Sequence, residues 1–313
     1  MKIADLHADI GYDCMQKKKQ GFSHNVLSQY HVENWKSSNI QLVCMVSYFE
    51  GYESWKDMQE MIVNLRNQIM MCKDVDLVLT KQDLLKSTDH IKAIMSVEGM
   101  CGVKENVTSC VEWMYKQGIR VASLCWNDEN ALATGVRGNE KRGLQEKGYE
   151  VIETMKRLGM IVDVSHANDQ TFWDIMQIND VHVMASHSNV RKLCNHKRNL
   201  TIQQIQEIRN RQGIIGLNAA PYFIHTQREY QDIKYFVKHL TYLKQRFGDI
   251  QGIACGFDFM DYFENETQFT KNLQCAKDAR NLIRVLQEEG FNKSEIQSFL
   301  YDHVFDFFSK VLC

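Results

Sequence analysis

Residues 160–187 read MIVDVSHANDQTFWDIMQINDVHVMASH, and the fold can be read from this stretch. The apolar run Met160–Ser165 leads into His166, the segment Asp169–Gln177 carries apolar residues at helical spacing, and a second run, His182–His187, ends on another histidine. Strand, helix and strand in so short a span describe a parallel βαβ unit, because parallel neighbours need a crossover and a helix supplies it. Neither run alternates strictly between apolar and polar residues, as expected for strands covered on both faces.

The same order recurs in both directions along the chain. Strands are expected at Lys2–His7, Gln41–Ser47, Lys92–Val97, Val121–Trp126, Met160–Ser165, His182–His187, Ile214–Asn218 and Gly252–Phe257. Helices are expected at Trp55–Met71, Val107–Gln117, Glu146–Leu158, Asp169–Gln177, Ile202–Arg211, Glu229–Phe247 and Lys271–Glu289, with a last helical stretch at Lys293–Lys310. Eight parallel strands could form an open sheet or a closed barrel, and the polar residues favour closure. His7 and Asp9 close the first strand, Glu98 the third, His166 the fifth, His187 the sixth and Asp258 the eighth. In a (β/α)8 barrel the C-terminal strand ends converge on one mouth, so these six side chains would meet. The expected fold is α/β, a (β/α)8 TIM-type barrel with an extra C-terminal helix, as one domain over residues 1–313.

Composition narrows the class. Of 313 residues, 44% are hydrophobic and 24% charged, with a formal net charge of −2 and no basic cluster beyond Lys17–Lys19, which is read as a solvated loop. Neither nucleic acid nor a membrane is an expected partner: the cations are scattered, and no apolar run reaches about 18 residues. The polar N-terminal residues do not match an export signal, so a cytoplasmic location is expected. The ten cysteines stand singly, mostly in apolar runs such as those around Cys44, Cys125 and Cys255, and read as reduced core residues.

The chemistry expected at the mouth is that of a metal site. Imidazole and carboxylate suit Zn2+, and a catalytic zinc keeps a position open for water or substrate. His7-x-Asp9 can place two donors on one side of an extended segment. His166 and His187 could hold a second ion, and Glu98 could bridge the two. Metals roughly 3.5–4 Å apart would then share a hydroxide. A single strand-end histidine is usually only a satisfied polar residue, but three with three carboxylates would be costly to bury without a purpose.

The motifs D-L-H-A-D (Asp5–Asp9), S-V-E-G (Ser96–Gly99), D-V-S-H (Asp163–His166), A-S-H-S-N (Ala185–Asn189), H-K-R-N-L (His196–Leu200) and G-F-D-F (Gly256–Phe259) together resemble the membrane (renal) dipeptidase family of the amidohydrolase superfamily. The resemblance implies a binuclear zinc dipeptidase. Two divalent ions would be bound by His7 and Asp9 on one side and His166 and His187 on the other, with Glu98 between. It implies that Arg198 binds the C-terminal carboxylate of a small peptide, and that Asp258 moves the proton from water to the leaving amine. It also implies tolerance of a D-residue at the C-terminal position, and a homodimer.

Departures from the family pattern concern the pocket walls. Where many members have L-T-H, this chain has Leu124-Cys125-Trp126-Asn127, similar to a bacterial branch with tryptophan there. Trp126 can donate an N–H but cannot ligate a metal. After the seventh strand stands Asn218-Ala219-Ala220-Pro221-Tyr222 in place of N-F-Y, so Asn218 and Tyr222 join Trp126 as expected substrate contacts. Met260 follows Phe259, where the family has D-F-D-G, and the usual C-terminal G-N element is replaced by Tyr301–Phe305. Deacylation of an N-acyl amino acid, or a metal-binding barrel without turnover, are the alternatives to peptide hydrolysis.

Overall fold

In the computed structural model, which describes residues 1–22, 24–263 and 266–312, every expected strand forms. Among the described residues there are nine strands: β1 (Ile3–Ala8), β2 (Ile40–Tyr48), β3 (Val75–Leu77), β4 (Ile91–Glu98), β5 (Ile119–Ser123), β6 (Ile161–Asp163), β7 (Val183–Ala185), β8 (Ile214–Leu217) and β9 (Ile253–Cys255). Eight of them run parallel in the order β1-β2-β4-β5-β6-β7-β8-β9, while β3 pairs with β4 off that path. At the seam between β9 and β1, the Asp258 amide donates to the His7 carbonyl at 3.1 Å. The Asp5 carboxylate accepts from the amides of Phe257 and His7 at 2.9 and 3.1 Å. The fold is a (β/α)8 barrel whose seam is held by side-chain and loop hydrogen bonds.

The interior changes chemistry from floor to mouth. Leu6, Cys44, Ile94, Val121, Ile161, Met184, Ile214 and Ala254 form one buried cluster with Val304, Phe307, Phe308 and Val311 of the C-terminal helix His303–Val311. That helix plugs the floor, and His303 Nδ1 lies 2.8 Å from the Ile253 carbonyl. Side chains repeat with period two along a strand, so the next inward layer is two residues on. There Val121 is followed by Ser123, Ile161 by Asp163, Met184 by Ser186, Ile214 by Gly216 and Ala254 by Gly256. The two glycines are required: a Cβ on Gly216 or Gly256 would sit 2.0 or 1.7 Å from the Ser186 carbonyl oxygen.

The surrounding helices start where side chains can satisfy their first amides. Ser54 and Asp57 form a capping box ahead of Trp55–Met71, Asn168 caps Asp169–Met176, and Thr201 with Gln204 caps Ile202–Asn210. Asn168 also donates to the carbonyls of Asn139 and Arg142, tying the loop after His166 to the long Leu124–Gln145 connection.

Several boundaries differ from expectation. Lys17–Lys19 end a helix, Ile10–Lys19, where cations favour the carbonyl end and Lys17 pairs with Asp13 one turn earlier. The expected Lys271–Glu289 helix shrinks to Asn281–Glu288, because Asn272 is left-handed (φ +64) and Ala276–Asp278 form a 3-10 turn. The Glu229–Phe247 helix begins at Ile233, capped by Asp232. The stretch from 293 to 311 is helical but widens to a π turn over Ser298–Asp302. β5 ends at Ser123, so Trp126 lies in the following loop. Among the described residues no helix is long and apolar enough to cross a membrane.

Candidate metal centre

The barrel brings His7, Asp9, Glu98, His166, His187 and Asp258 together, each at most 9% exposed. His7 Nε2 stands 3.5 Å from Asp9 Oδ1 and 3.8 Å from Glu98 Oε2. Glu98 Oε1 lies 2.7 Å from His166 Nε2 and 3.2 Å from His187 Nε2, and those two nitrogens are 3.0 Å apart. Donor atoms of His7, Glu98 and His187, and again of His7, Asp9 and Asp258, lie within 4.8 Å of one another. Glu98 thus stands between His7 and the two later imidazoles, and Asp258 is near enough to join the His7–Asp9 pair.

The unused atoms test whether this set suits a cation. His7 Nε2, Asp9 Oδ1 and Glu98 Oε1 are buried without a hydrogen-bond partner, and a group in that state costs free energy unless something occupies the space between. The outer ring nitrogens are occupied instead: Nδ1 of His7 and of His187 lie 3.0 and 2.7 Å from Ser186 Oγ, and Nδ1 of His166 is 3.0 Å from Asn127 Oδ1. A carbonyl oxygen accepts only, so His166 carries its proton on Nδ1 and turns a bare Nε2 inward. Bare imidazole nitrogens beside two carboxylates form a donor set for a divalent ion such as zinc.

Electrostatics without a metal point the same way. Burial alone would lower the His7 pKa, but Glu98 and Asp9 outweigh it and raise the ring to about 10, so a proton holds the place a cation would take. Burial, with Arg198 nearby, pushes His166 down to about 4, and burial with His7 and Arg198 pushes His187 well below the ordinary value. Burial would raise Glu98, yet His166 and His7 hold it well below the usual carboxylate range. Burial raises Asp258 to about 8, His7 opposing and Asp9 and Glu98 reinforcing.

Asp258 has φ +56, a left-handed backbone that a non-glycine residue rarely adopts. Asn218 Nδ2 donates to its Oδ2 at 3.0 Å. Asn218 is fully buried and its Oδ1 accepts the Ala220 amide at 2.6 Å, so its side chain is placed to hold Asp258. Arg198 is 4% exposed; its guanidinium donates to the carbonyls of Ser165 and, at 3.3 Å, of His187, while Nε has no partner. It borders a cavity of about 510 Å³ lined also by Asn127, Arg137, Tyr222 and Phe223. Tyr222 is 43% exposed on that rim. The Trp126 ring stands 6.0 Å from His166, edge-on to Tyr48 at 5.1 Å, with the Arg137 guanidinium 4.9 Å from it.

Sequence reading missed the residues behind the donors. Ser186 and Asp163 lie inside the quoted motifs, next to or near their histidines, but a motif does not say which neighbour a hydroxyl will meet. Tyr262, whose hydroxyl accepts the Asp9 amide at 2.9 Å, is 253 residues away in sequence and carried no signal.

The chain is similar to known proteins over nearly its whole length. The model of the membrane dipeptidase family, peptidase family M19, matches residues 1–311. An uncharacterised dipeptidase of Schizosaccharomyces pombe is 27% identical over 69% of this chain and 52% of its own length. The dipeptidase aclJ of Aspergillus oryzae is 25% identical over 67% and 49%. The chain thus spans about half the length of these curated relatives. A Rhodobacter sphaeroides metallopeptidase, crystallised with a phosphinate mimic of L-Ala-D-Ala, superposes with a TM-score of 0.85 over 99% of both chains at 16% identity. A second metallopeptidase, dipeptidase AC, gives 0.86 over 100% and 99% at 17% identity. Likeness at that identity establishes the shared fold.

Proposed function

We infer the reaction from one premise: the chain belongs to the membrane dipeptidase family, peptidase family M19. The proposal is a metal-dependent dipeptidase, and the observation that carries it is the pairing of unpartnered metal donors with a buried cation. His7 Nε2, Asp9 Oδ1 and Glu98 Oε1 are orphaned at the same mouth where Arg198, its Nε also orphaned, is anchored on the carbonyls of Ser165 and His187. A dipeptide offers the matching groups: a scissile carbonyl and, two bonds beyond the leaving nitrogen, a free carboxylate.

His7 and Asp9 would hold one divalent ion, His166 and His187 the other, with Glu98 between them. Zinc fits these donors, and when bound such ions polarise a carbonyl and lower the pKa of water. The remaining work falls to the chain itself. Asp258, held at Oδ2 by Asn218, would take the proton of the attacking water on its other oxygen and deliver it to the leaving amine. Arg198 would fix the C-terminal carboxylate by a charge-assisted hydrogen bond from Nε and from the guanidinium hydrogens that the two carbonyls leave free. Tyr222 and Trp126 would line the side-chain pockets. Tolerance of a D-residue at the C-terminal position is part of the same proposal, supported by the L-Ala-D-Ala mimic bound to the Rhodobacter sphaeroides enzyme of this fold. So is a cytoplasmic setting, in keeping with the nine described cysteines, all of which are free thiols.

The test is a panel of L-Xaa-L-Xaa and L-Xaa-D-Xaa dipeptides, with N-acetylated amino acids alongside, offered to zinc-loaded protein. Turnover of dipeptides is the expected result. Turnover of the acylated amino acids alone would replace peptide hydrolysis by deacylation, and binding of dipeptides without turnover would replace catalysis by recognition.

A further inference from the structure

We propose that Ser186 is a positioning residue shared by both metal positions: a single hydroxyl that fixes the tautomer of one imidazole from each pair, so that the two ions are bound through a common support. The inference rests on the metal reading above and concerns a residue that lies outside the donor set.

The number of protons at this hydroxyl decides both tautomers. Ser186 Oγ has one hydrogen and two lone pairs. Its hydrogen goes to Asp163, whose Oδ2 lies 2.5 Å away. The other Asp163 oxygen already accepts from the Ser165 amide and hydroxyl and from the Ser186 amide, at 3.0, 2.6 and 3.0 Å. A carboxylate so surrounded by donors stays an acceptor, and it keeps the Ser186 hydrogen. Toward the two imidazoles Ser186 can therefore only accept. Nδ1 of His7 at 3.0 Å and Nδ1 of His187 at 2.7 Å must each carry a proton, which leaves Nε2 of both rings to face the cavity. Outer-shell partners of ligating histidines fix tautomer and orientation in this way. Here one partner serves two rings, whose centroids lie 3.7 Å apart with their planes tilted by 38°.

The fold makes room for this hub. Ser186 and Asp163 are 2% and 5% exposed, the first polar layer above the apolar floor. The Ser186 main chain leans across β8 and β9 so closely that only the glycines at 216 and 256 clear its carbonyl. His166 is held differently, through Asn127, and belongs to one pair only. The neighbouring Ser165 hydroxyl donates to the same Asp163 and lies 3.2 Å from Ser186 Oγ, but among the described residues it meets no imidazole nitrogen.

That difference gives the experiment. Stepwise binding of Zn2+ is measured by competition with a chromophoric chelator for wild type, Ser186→Ala, Ser165→Ala and Asn127→Ala. S186A is expected to weaken both equivalents, each by roughly 10- to 100-fold; N127A should weaken one, and S165A neither. Histidine-selective 15N spectra of the zinc-loaded proteins add a readout independent of affinity. Two slowly exchanging Nδ1–H signals, from His7 and His187, should be lost together in S186A and kept in S165A. If S186A does not fold, Asp163→Asn replaces it: an amide can donate to Ser186 Oγ, the freed hydroxyl hydrogen must then point at one imidazole, and one equivalent should weaken. Equal binding by S186A and S165A, or weakening of a single equivalent in S186A, overturns the inference and leaves the dipeptidase reading standing. Failure of the wild type to take up two equivalents overturns the metal reading, and this inference with it.

Discussion

Along β6 the interior of the barrel passes from Ile161 to Asp163, and along β7 from Met184 to Ser186, so floor and mouth are separated by one inward step on the same strands. The floor is apolar, sealed by Phe307 and Phe308 of the C-terminal helix, and each large side chain fully buried there stabilises the fold by about 1.5–3 kcal/mol. The mouth collects carboxylates and imidazoles at comparable burial, where an unpaired polar group costs up to several kcal/mol. One end of the barrel supplies stability and the other holds reactive groups in a medium they would not choose. Only a closed, well-packed floor can keep the upper layer in place.

If the ends divide their roles in this way, substitutions should separate them. Asp258→Asn should lower kcat by roughly 10²- to 10⁴-fold, while the thermal midpoint stays level or rises, because a buried ionisable group in a left-handed backbone has been neutralised. A parallel loss of stability would break the division. Phe308→Ala, at a fully buried floor position, should cost about 3–5 kcal/mol in denaturant unfolding and leave the rate per folded molecule unchanged. A large change in kcat at constant fold would show that floor and mouth are coupled.

The seam between β9 and β1 carries a buried carboxyl of its own. Burial raises the Asp5 pKa to about 7 in the folded, metal-free protein, against an ordinary value near 4. The folded state therefore binds this proton more tightly, and stability falls as pH rises through the window from about 4 to about 7, on the order of a few kcal/mol in all. Asp5→Asn keeps an acceptor for the His7 and Phe257 amides but cannot ionise. It should flatten that part of the stability profile, measured by unfolding between pH 4 and 8. An unchanged profile would remove Asp5 as its source. The smallest effect concerns metal uptake. His7 carries an extra proton below about pH 10 in the metal-free protein, and a metal must displace it. Apparent zinc affinity should rise by about tenfold per pH unit between pH 6 and 8 for that proton, and a flat profile would mean that His7 is not a ligand.

Much of this architecture was legible beforehand, for identifiable reasons. Strands covered on both faces advertise themselves as short apolar runs, and a polar residue closing such a run is conspicuous, so His7, Glu98, His166, His187 and Asp258 could be placed at one end of the barrel. Helices with strong amphipathic period, such as Trp55–Met71 and Val107–Gln117, matched to the residue. Elements whose form depends on partners were missed: β3, which is a strand only because β4 lies beside it, and Ile10–Lys19, whose lysine run imitates a loop until Asp13 is set one turn away. Lys271–Glu289 failed in the opposite sense, since helical composition does not reveal a left-handed Asn272.

By itself the sequence determined the barrel, the end at which chemistry gathers, and the types of donor found there, because hydrophobic period and residue type are local properties that burial must respect. Tertiary structure alone decided how those donors are held. That Ser186 meets both His7 and His187, that Asn218 turns to Asp258 and that Tyr262 reaches the Asp9 amide depend on contacts between residues 179, 40 and 253 positions apart. Such contacts exist only after the strands have closed, and a hydrogen bond requires positioning to within a few tenths of an ångström, which no pattern along the chain can specify.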